Sequence, residues 1–295
     1  MFNKLVLVSF GPDVSDGALN YAIYLAKVLG SKIYSLYIKP TTYNHEKEQC
    51  LSDDEKRKNI EWSEYTYKQN LNKIEEFQNK INKEGIDSSY TILEGVPCLE
   101  ILSFAKVKSA DLIVIDKGKN FQNKCIVQKT TLYVVKHSSI PVLVTNQSDK
   151  TTKIKNILVP TDKYNIGTKS FKLACNISEK LNSRIVQLNI LKKHDPKIPA
   201  EVFERMHGDS YFNLSKSEVK NKKIESVVID SESISDGITD YSNSNDIDII
   251  ILETYWGEKQ DVFDSNGSVA EKIIQQVYCP VLTLKTEEEV TIYEK

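Results

Sequence analysis

Lys4-Leu5-Val6-Leu7-Val8-Ser9 opens the chain, and Asn156-Ile157-Leu158-Val159-Pro160-Thr161-Asp162 stands near its middle. Each is a short apolar run followed by a polar turn and then by a segment with apolar residues every three or four positions. A pattern that recurs after half of a 295-residue chain describes one supersecondary plan used twice. The length agrees with two domains rather than one.

The copies can be followed element by element. After the first run, Ala18, Ala22, Leu25, Ala26 and Leu29 fall on one helical face, and Gly30 follows where a left-handed residue ends a helix. After the second run, Phe171, Ala174, Cys175, Ser178 and Leu181 repeat the spacing. Second strands are expected over Lys32 to Ile38 and Arg184 to Leu191. In the first copy Tyr67, Leu71, Ile74, Phe77 and Ile81 make a helical face, and a third strand ends at Leu93. The second copy has its third strand near Glu225 to Ile229. Fourth strands are expected from Ala110 to Ile115 and from Ile247 to Leu252. They are almost continuously apolar, as strands covered on both faces must be. Ile140 to Val144 and Cys279 to Leu284 complete the two sets.

Strands alternating with helices imply parallel sheets with right-handed crossovers and helices on both faces, a doubly wound α/β fold in each copy. The expected domains are 1–146 and 153–286, joined through the polar stretch Asn146 to Lys153; the charged tail from Glu287 to Lys295 is expected to leave the core.

Composition excludes several classes. The net charge of −2 gives no pull toward nucleic acid or membrane. No apolar stretch approaches the roughly 18–20 residues that span a bilayer, and the N-terminus enters a strand without a signal-peptide pattern, so a cytoplasmic protein is expected. Arg57, Arg184 and Arg205 are the only arginines, which makes bidentate phosphate recognition scarce. The cysteines at 50, 98, 125, 175 and 279 are odd in number and form no Cys-x-x-Cys pair, against a disulfide framework or a structural zinc site. The four histidines are scattered. No nucleophile elbow, metal-ligand cluster or P-loop lysine is present, and no catalytic residue is assigned.

Three segments of the second copy resemble the universal stress protein family: Ile157 to Asp162, then Gly267-Ser268-Val269-Ala270-Glu271-Lys272, then Cys279-Pro280-Val281-Leu282. In the first copy Gly95-Val96-Pro97, Ala110 to Ile115 and Ile140 to Val144 fit the same pattern. The resemblance covers both copies apart from the linker, the tail and segments 41–60 and 193–222. It implies a five-stranded parallel sheet in order 3-2-1-4-5 in each copy. It also implies a pseudo-twofold pairing in which Val142 to Thr145 runs antiparallel to Val281 to Leu284, an intramolecular version of the dimer that single-domain members make. Dimerisation of the whole chain, and the identity of any protein partner, stay open.

The resemblance further implies ATP or another adenine nucleotide in members that keep Gly-x2-Gly-x9-Gly-Ser/Thr. Glycines let main-chain amides approach phosphate, and a helix start adds unpaired donors. Carried over here, Gly267 and Ser268 match the final pair, Val269 adjoins them, and Gly257 matches the second glycine; Thr254 stands at the first. Asp162 matches the acidic residue that contacts the adenosine portion, while Pro160, Thr161 and Ile190 fall where the adenine pocket is lined. Tyr255, Trp256, Glu258, Asp261 and Asp264 depart from a phosphate-friendly loop. The first copy departs further. It has no acidic residue at the end of its first strand, and Gln128-Lys129 stands in place of Gly-Ser. Gly118 is retained, and lysines 117, 119, 124 and 129 make the loop basic. No family-type site is expected there.

The plainer reading of Gly267-Ser268 is a helix start with Ser268 as its cap. Three functions follow: a non-enzymatic stress-response protein that binds an adenine nucleotide in its C-terminal domain, an interaction module that has lost nucleotide binding in both domains, and a weak ATPase.

Overall fold

Ten strands occur among the described residues, most of them buried and rich in β-branched residues, with the strands at the two ends of the order only half-buried. The computed structural model describes residues 2–10, 16–40, 68, 70–118, 126–146, 153–161, 169–192, 223–255 and 268–286. The first half contains β1 (Lys4–Phe10), α1 (Asp16–Leu29), β2 (Lys32–Pro40), α2 (residues 70–83), β3 (Ser88–Gly95), α3 (Pro97–Val107), β4 (Leu112–Asp116), α4 (Ile126–His137) and β5 (Val142–Thr145). The second contains β6 (Asn156–Thr161), α5 (Lys169–Leu181), β7 (Arg184–Lys192), β8 (Ile224–Ser231), α6 (Ile234–Ser244), β9 (Ile249–Tyr255), α7 (Val269–Gln276) and β10 (Val281–Thr286). Tyr67, and segments 41–60 and 193–222, lie outside the described residues.

The strand order is β3-β2-β1-β4-β5-β10-β9-β6-β7-β8, so each half has the expected order 3-2-1-4-5. Contacts divide the chain into two compact units, Met1–His137 with Thr145–Lys150 and Ser138–Val144 with Thr151–Lys295. Most of β5 therefore belongs by contact to the second unit. It runs antiparallel to β10 as expected, with Val144 opposite Val281, Leu143 opposite Leu282 and Val142 opposite Thr283. The Thr283 hydroxyl donates to the Val142 carbonyl at 3.2 Å.

Helix packing follows the periodicity. Ala18, Ala22, Leu25 and Ala26 of α1 are buried, as are Phe171, Ala174, Cys175 and Ser178 of α5. Gly30 closes α1 at φ +70°, and Asn182 takes the same role after α5 at φ +54°. In α2, Ile74, Phe77 and Ile81 are buried, and Asn70 donates to the Tyr37 hydroxyl at 3.1 Å. All five residues of β4 are buried, as a strand between two helical layers requires.

The fourth strands begin two residues later than expected, at Leu112 and Ile249, and the reason is the same in both halves. Asp111 accepts hydrogen bonds from the amides of Asn3 at 2.7 Å and Lys4 at 3.0 Å. Asp248 accepts from Lys155 and Asn156, both at 2.8 Å. Each aspartate thus fastens the entry of the first strand of its half. Two serines add a second fastening: Ser31 donates to the Phe2 carbonyl and Ser183 to the Ile154 carbonyl, each at 2.6 Å.

No described helix is long and apolar enough to cross a membrane. Cys98, Cys175 and Cys279 carry no disulfide. Among the described residues no cluster of His, Cys, Asp and Glu could hold a metal ion.

Candidate functional site

In an open parallel sheet the order reverses beside the first strand, and the neighbours there must send their helices to opposite faces. In the second half this point lies between β6 and β9. Strand β6 pairs with β7 over six residues but with β9 at only two positions, Ile157 opposite Ile249 and Leu158 opposite Ile250. The described residues at the carboxyl side of this point are Pro160 and Thr161 of β6, Glu253 and Thr254 of β9, and the first residues of α5 and α7.

The expected site residues divide into three groups. Asp162, Gly257 and Gly267 lie outside the described residues. Pro160 and Thr161 are half-buried at the end of β6, and the Thr161 hydroxyl lies 3.5 Å from the Leu188 carbonyl on β7. Ile190 is half-buried on β7. Its Cδ1 and Cγ2 come within 3.0 Å of where a Cβ on Gly237 of α6 would sit. Glycine at that position lets α6 approach the sheet closely. Thr254 is only 4% exposed, and its hydroxyl donates to the Leu284 carbonyl at 3.2 Å, joining β9 to β10.

Ser268 caps α7. Its hydroxyl accepts from the Glu271 amide at 3.2 Å, while the Glu271 carboxylate accepts from the Ser268 amide at 3.3 Å. This capping box occupies two donors that a bare helix start would leave without partners. Val269 and Ala270 are the first two residues of the helix. Val269 is exposed.

The first half differs at this place. Counting back from the paired fifth strands, Gln128 and Lys129 occupy the positions of Gly267 and Ser268. Helix α4 already begins at Ile126, so Thr130 sits one turn inside the helix where α7 has its first residue. The end of β4 in this half makes bonds of its own. Thr131 donates to the Asp116 carbonyl at 2.8 Å, and the Lys117 amide donates to the Thr145 carbonyl at 3.0 Å. Asp116 accepts from the Gly118 amide at 2.6 Å, a turn that Gly118 permits at φ +86°.

Glu253 was not singled out by sequence pattern. Asp111 and Asp248 make the same bonds, so the residues five positions later, Asp116 and Glu253, hold corresponding places. The Glu253 carboxylate accepts from the amide of Ser170, in the first turn of α5, at 2.6 Å. The signal that could have found it is the acidic residue following each apolar run, Ile113-Val114-Ile115-Asp116 and Ile250-Ile251-Leu252-Glu253.

A separate hollow of about 440 Å³ lies at the opposite end of the first half, among Asn3, Ser31, Lys32, Glu84 and Asp87. Its charges are largely matched, with Lys27 paired to Glu84 and Lys32 to Asp87. It is far from any strand's carboxyl end.

These features define a protein of two tandem doubly wound α/β halves. The chain belongs to the universal stress protein family, whose model matches residues 1–146 and again 153–285. Universal stress protein MJ0531 of Methanocaldococcus jannaschii is 30% identical over 159 residues, covering 51% of this chain and 85% of that protein. Universal stress protein YxiE of Bacillus subtilis is 27% identical over 154 residues, covering 49% of this chain and 99% of that protein. Among solved structures, a universal stress protein from Archaeoglobus fulgidus has the same fold over 97% of both chains, with a TM-score of 0.69 at 16% identity.

Proposed function

We propose that this chain is a non-enzymatic cytoplasmic stress-response protein whose C-terminal domain, residues 153–286, binds an adenine nucleotide, while domain 1–146 does not. The observation that carries this reading is that α7 starts with Ser268 at its cap, where the first half has α4 already one turn under way. The main-chain amides of Gly257, Gly267 and Val269 would face phosphate, and that of Ser268 would do so on releasing the Glu271 carboxylate; Asp162 would meet the adenosine portion, and Pro160, Thr161 and Ile190 would line the adenine pocket. Thr254, buried and bonded to Leu284, would hold the strand end in place rather than touch ligand. Occupancy of this site would change the loops above it and so the surface offered to a protein partner.

A second reading, an interaction module without a nucleotide, is favoured by the capping box, which already engages the hydroxyl and amide of Ser268. Thermal unfolding of the full chain with ATP, ADP, AMP and adenosine separates the two. A ligand held at one hundred times its Kd stabilises by about 2.7 kcal/mol, a shift of several degrees. A melting temperature unmoved by all four at millimolar concentration sinks the nucleotide reading.

A further inference from the structure

The two strands at the ends of the order, β3 and β8, differ in what they show to solvent. Each has eight residues and, among the described residues, a strand partner on one side only. Strand β3 pairs with β2 at every position from Ser88 to Gly95, without a bulge. Main-chain groups alternate in direction along a strand. The Ile33 amide donates to the Asp87 carbonyl at 3.0 Å, so Asp87, Ser89, Thr91 and Leu93 turn their main-chain groups toward β2. Ser88, Tyr90, Ile92 and Glu94 turn theirs outward. The side chains of Tyr90 and Ile92 share one face and are 53% and 36% exposed. From Ser88 to Leu93 the strand carries no charge and no proline, the usual guards of a sheet edge. Ser88 pairs with Ile33 as Ile224 pairs with Ile185, so the places of Tyr90 and Ile92 are taken in β8 by Ser226 and the half-buried Val228.

We propose that β3 is a homodimer interface: two copies of this chain join their β3 strands antiparallel, about a twofold axis passing between the two Thr91 residues. The occupant is a second copy because this edge complements itself. With the axis at Thr91, Tyr90 of each copy stands opposite Ile92 of the other. Both residues turn their main-chain groups outward, so each pair exchanges two N–H···O bonds, and an aromatic residue meets a β-branched one. Thr91 meets Thr91 as the non-hydrogen-bonded pair between them. A shift by two residues one way sets Ile92 against Ser88, and the other way sets Tyr90 against Glu94; either leaves an apolar side chain without an apolar partner. Charge agrees with the same register. Glu94 stands opposite Ser88, with Lys39 of its own copy 3.7 Å away, and no like charges meet. Strands β5 and β10 join antiparallel within the chain in the same manner. One strand pair is smaller than a standard interface, so the dimer is expected to be weak, with a Kd in the micromolar range. Nothing in this interface depends on a bound nucleotide.

Sedimentation velocity of the full chain from about 1 to about 200 µM tests this. The mass is expected to rise with concentration from 33.6 kDa toward twice that value. Tyr90→Lys and Ile92→Lys place a charge at exposed positions of the edge. Each is expected to raise the dissociation constant about tenfold or more, with the melting temperature unchanged at a dilution where the native chain is monomeric. Ser226→Lys, the matching change on β8, is expected to leave the dimer intact. Cysteine variants read the register. Thr91→Cys is expected to cross-link two copies under mild oxidation above the level of the native chain, because opposed residues of a non-hydrogen-bonded pair lie at disulfide distance. Glu94→Cys, displaced from the axis, is expected to stay at the native level. A chain that remains monomeric across the whole range overturns the proposal, as does a dimer that survives both lysine variants. Association beyond the dimer, or a dimer lost in Ser226→Lys, places the contact at β8 and overturns it too. Cross-linking through Glu94→Cys but not Thr91→Cys overturns the assigned axis.

Discussion

The two ends of each sheet have different histories of use in this molecule. At the amino ends of the strands the halves agree bond for bond: Asp111 with Asp248, and Ser31 with Ser183, make the same contacts to the same main-chain groups. At the carboxyl ends they diverge. In the first half Thr131 and Gly118 bond to Asp116, and α4 starts early. The second half keeps a capped helix start at Val269, and Glu253 bonds to the amide of Ser170 at the start of α5. The amino ends hold strand entries whose loss costs folding directly, so one solution serves both halves. The carboxyl ends bear loops that can change without unpairing the sheet.

Three experiments would break or sharpen this comparison. The largest expected effect concerns the strands where the repeat closes on itself. Leu143 and Leu282 face each other across the β5–β10 pair, and both are buried. Replacing either by alanine should cost about 3 kcal/mol in urea denaturation. The double variant should lose less than the sum by about 0.5 kcal/mol or more, because the two share one packing site. Additive losses would mean that the pair is not a shared contact.

The paired aspartates come next. Asp111→Ala and Asp248→Ala each remove a charged acceptor from two main-chain amides, and each should cost about 2 kcal/mol. Equal losses would support a common role at the two strand entries. A silent substitution in one half would show that the matching geometry hides unequal dependence.

The smallest effect contrasts two glycines. At Gly237 a Cβ would lie 2.9 Å from the Ser231 Cβ and 3.0 Å from Ile190, all in packed surroundings. Gly237→Ala should therefore destabilise by about 1 kcal/mol, overpacking outweighing the gain in helix propensity. At Gly95 the nearest obstruction is the end of the Glu100 side chain, at 2.7 Å, which can swing away. Gly95→Ala should stay within about 0.5 kcal/mol of the native chain. Thermal melting of both variants reads the difference.

Most of the fold was legible because burial writes itself into residue order. Runs such as Ile249-Ile250-Ile251-Leu252 need two covered faces, and the three-and-four spacing in α1 and α5 needs one. Strand starts were less legible. Ala110-Asp111 and Ile247-Asp248 look like continuations of an apolar run, yet the aspartates bond to segments more than ninety positions away in the chain. Ser268 was readable both as a ligand contact and as a cap, and the structure shows the cap. Thr254 illustrates the same limit, since only the neighbouring strand reveals that its hydroxyl faces Leu284.

The order of residues alone therefore determined the duplication and the doubly wound class, which depend on local periodicity and on repetition, while the last-strand pair was implied by the resemblance to a known family. Tertiary structure decided which acidic side chain meets which amide. Glu253 and Ser170 are 83 positions apart, and no local pattern records a distance between residues that only folding brings together.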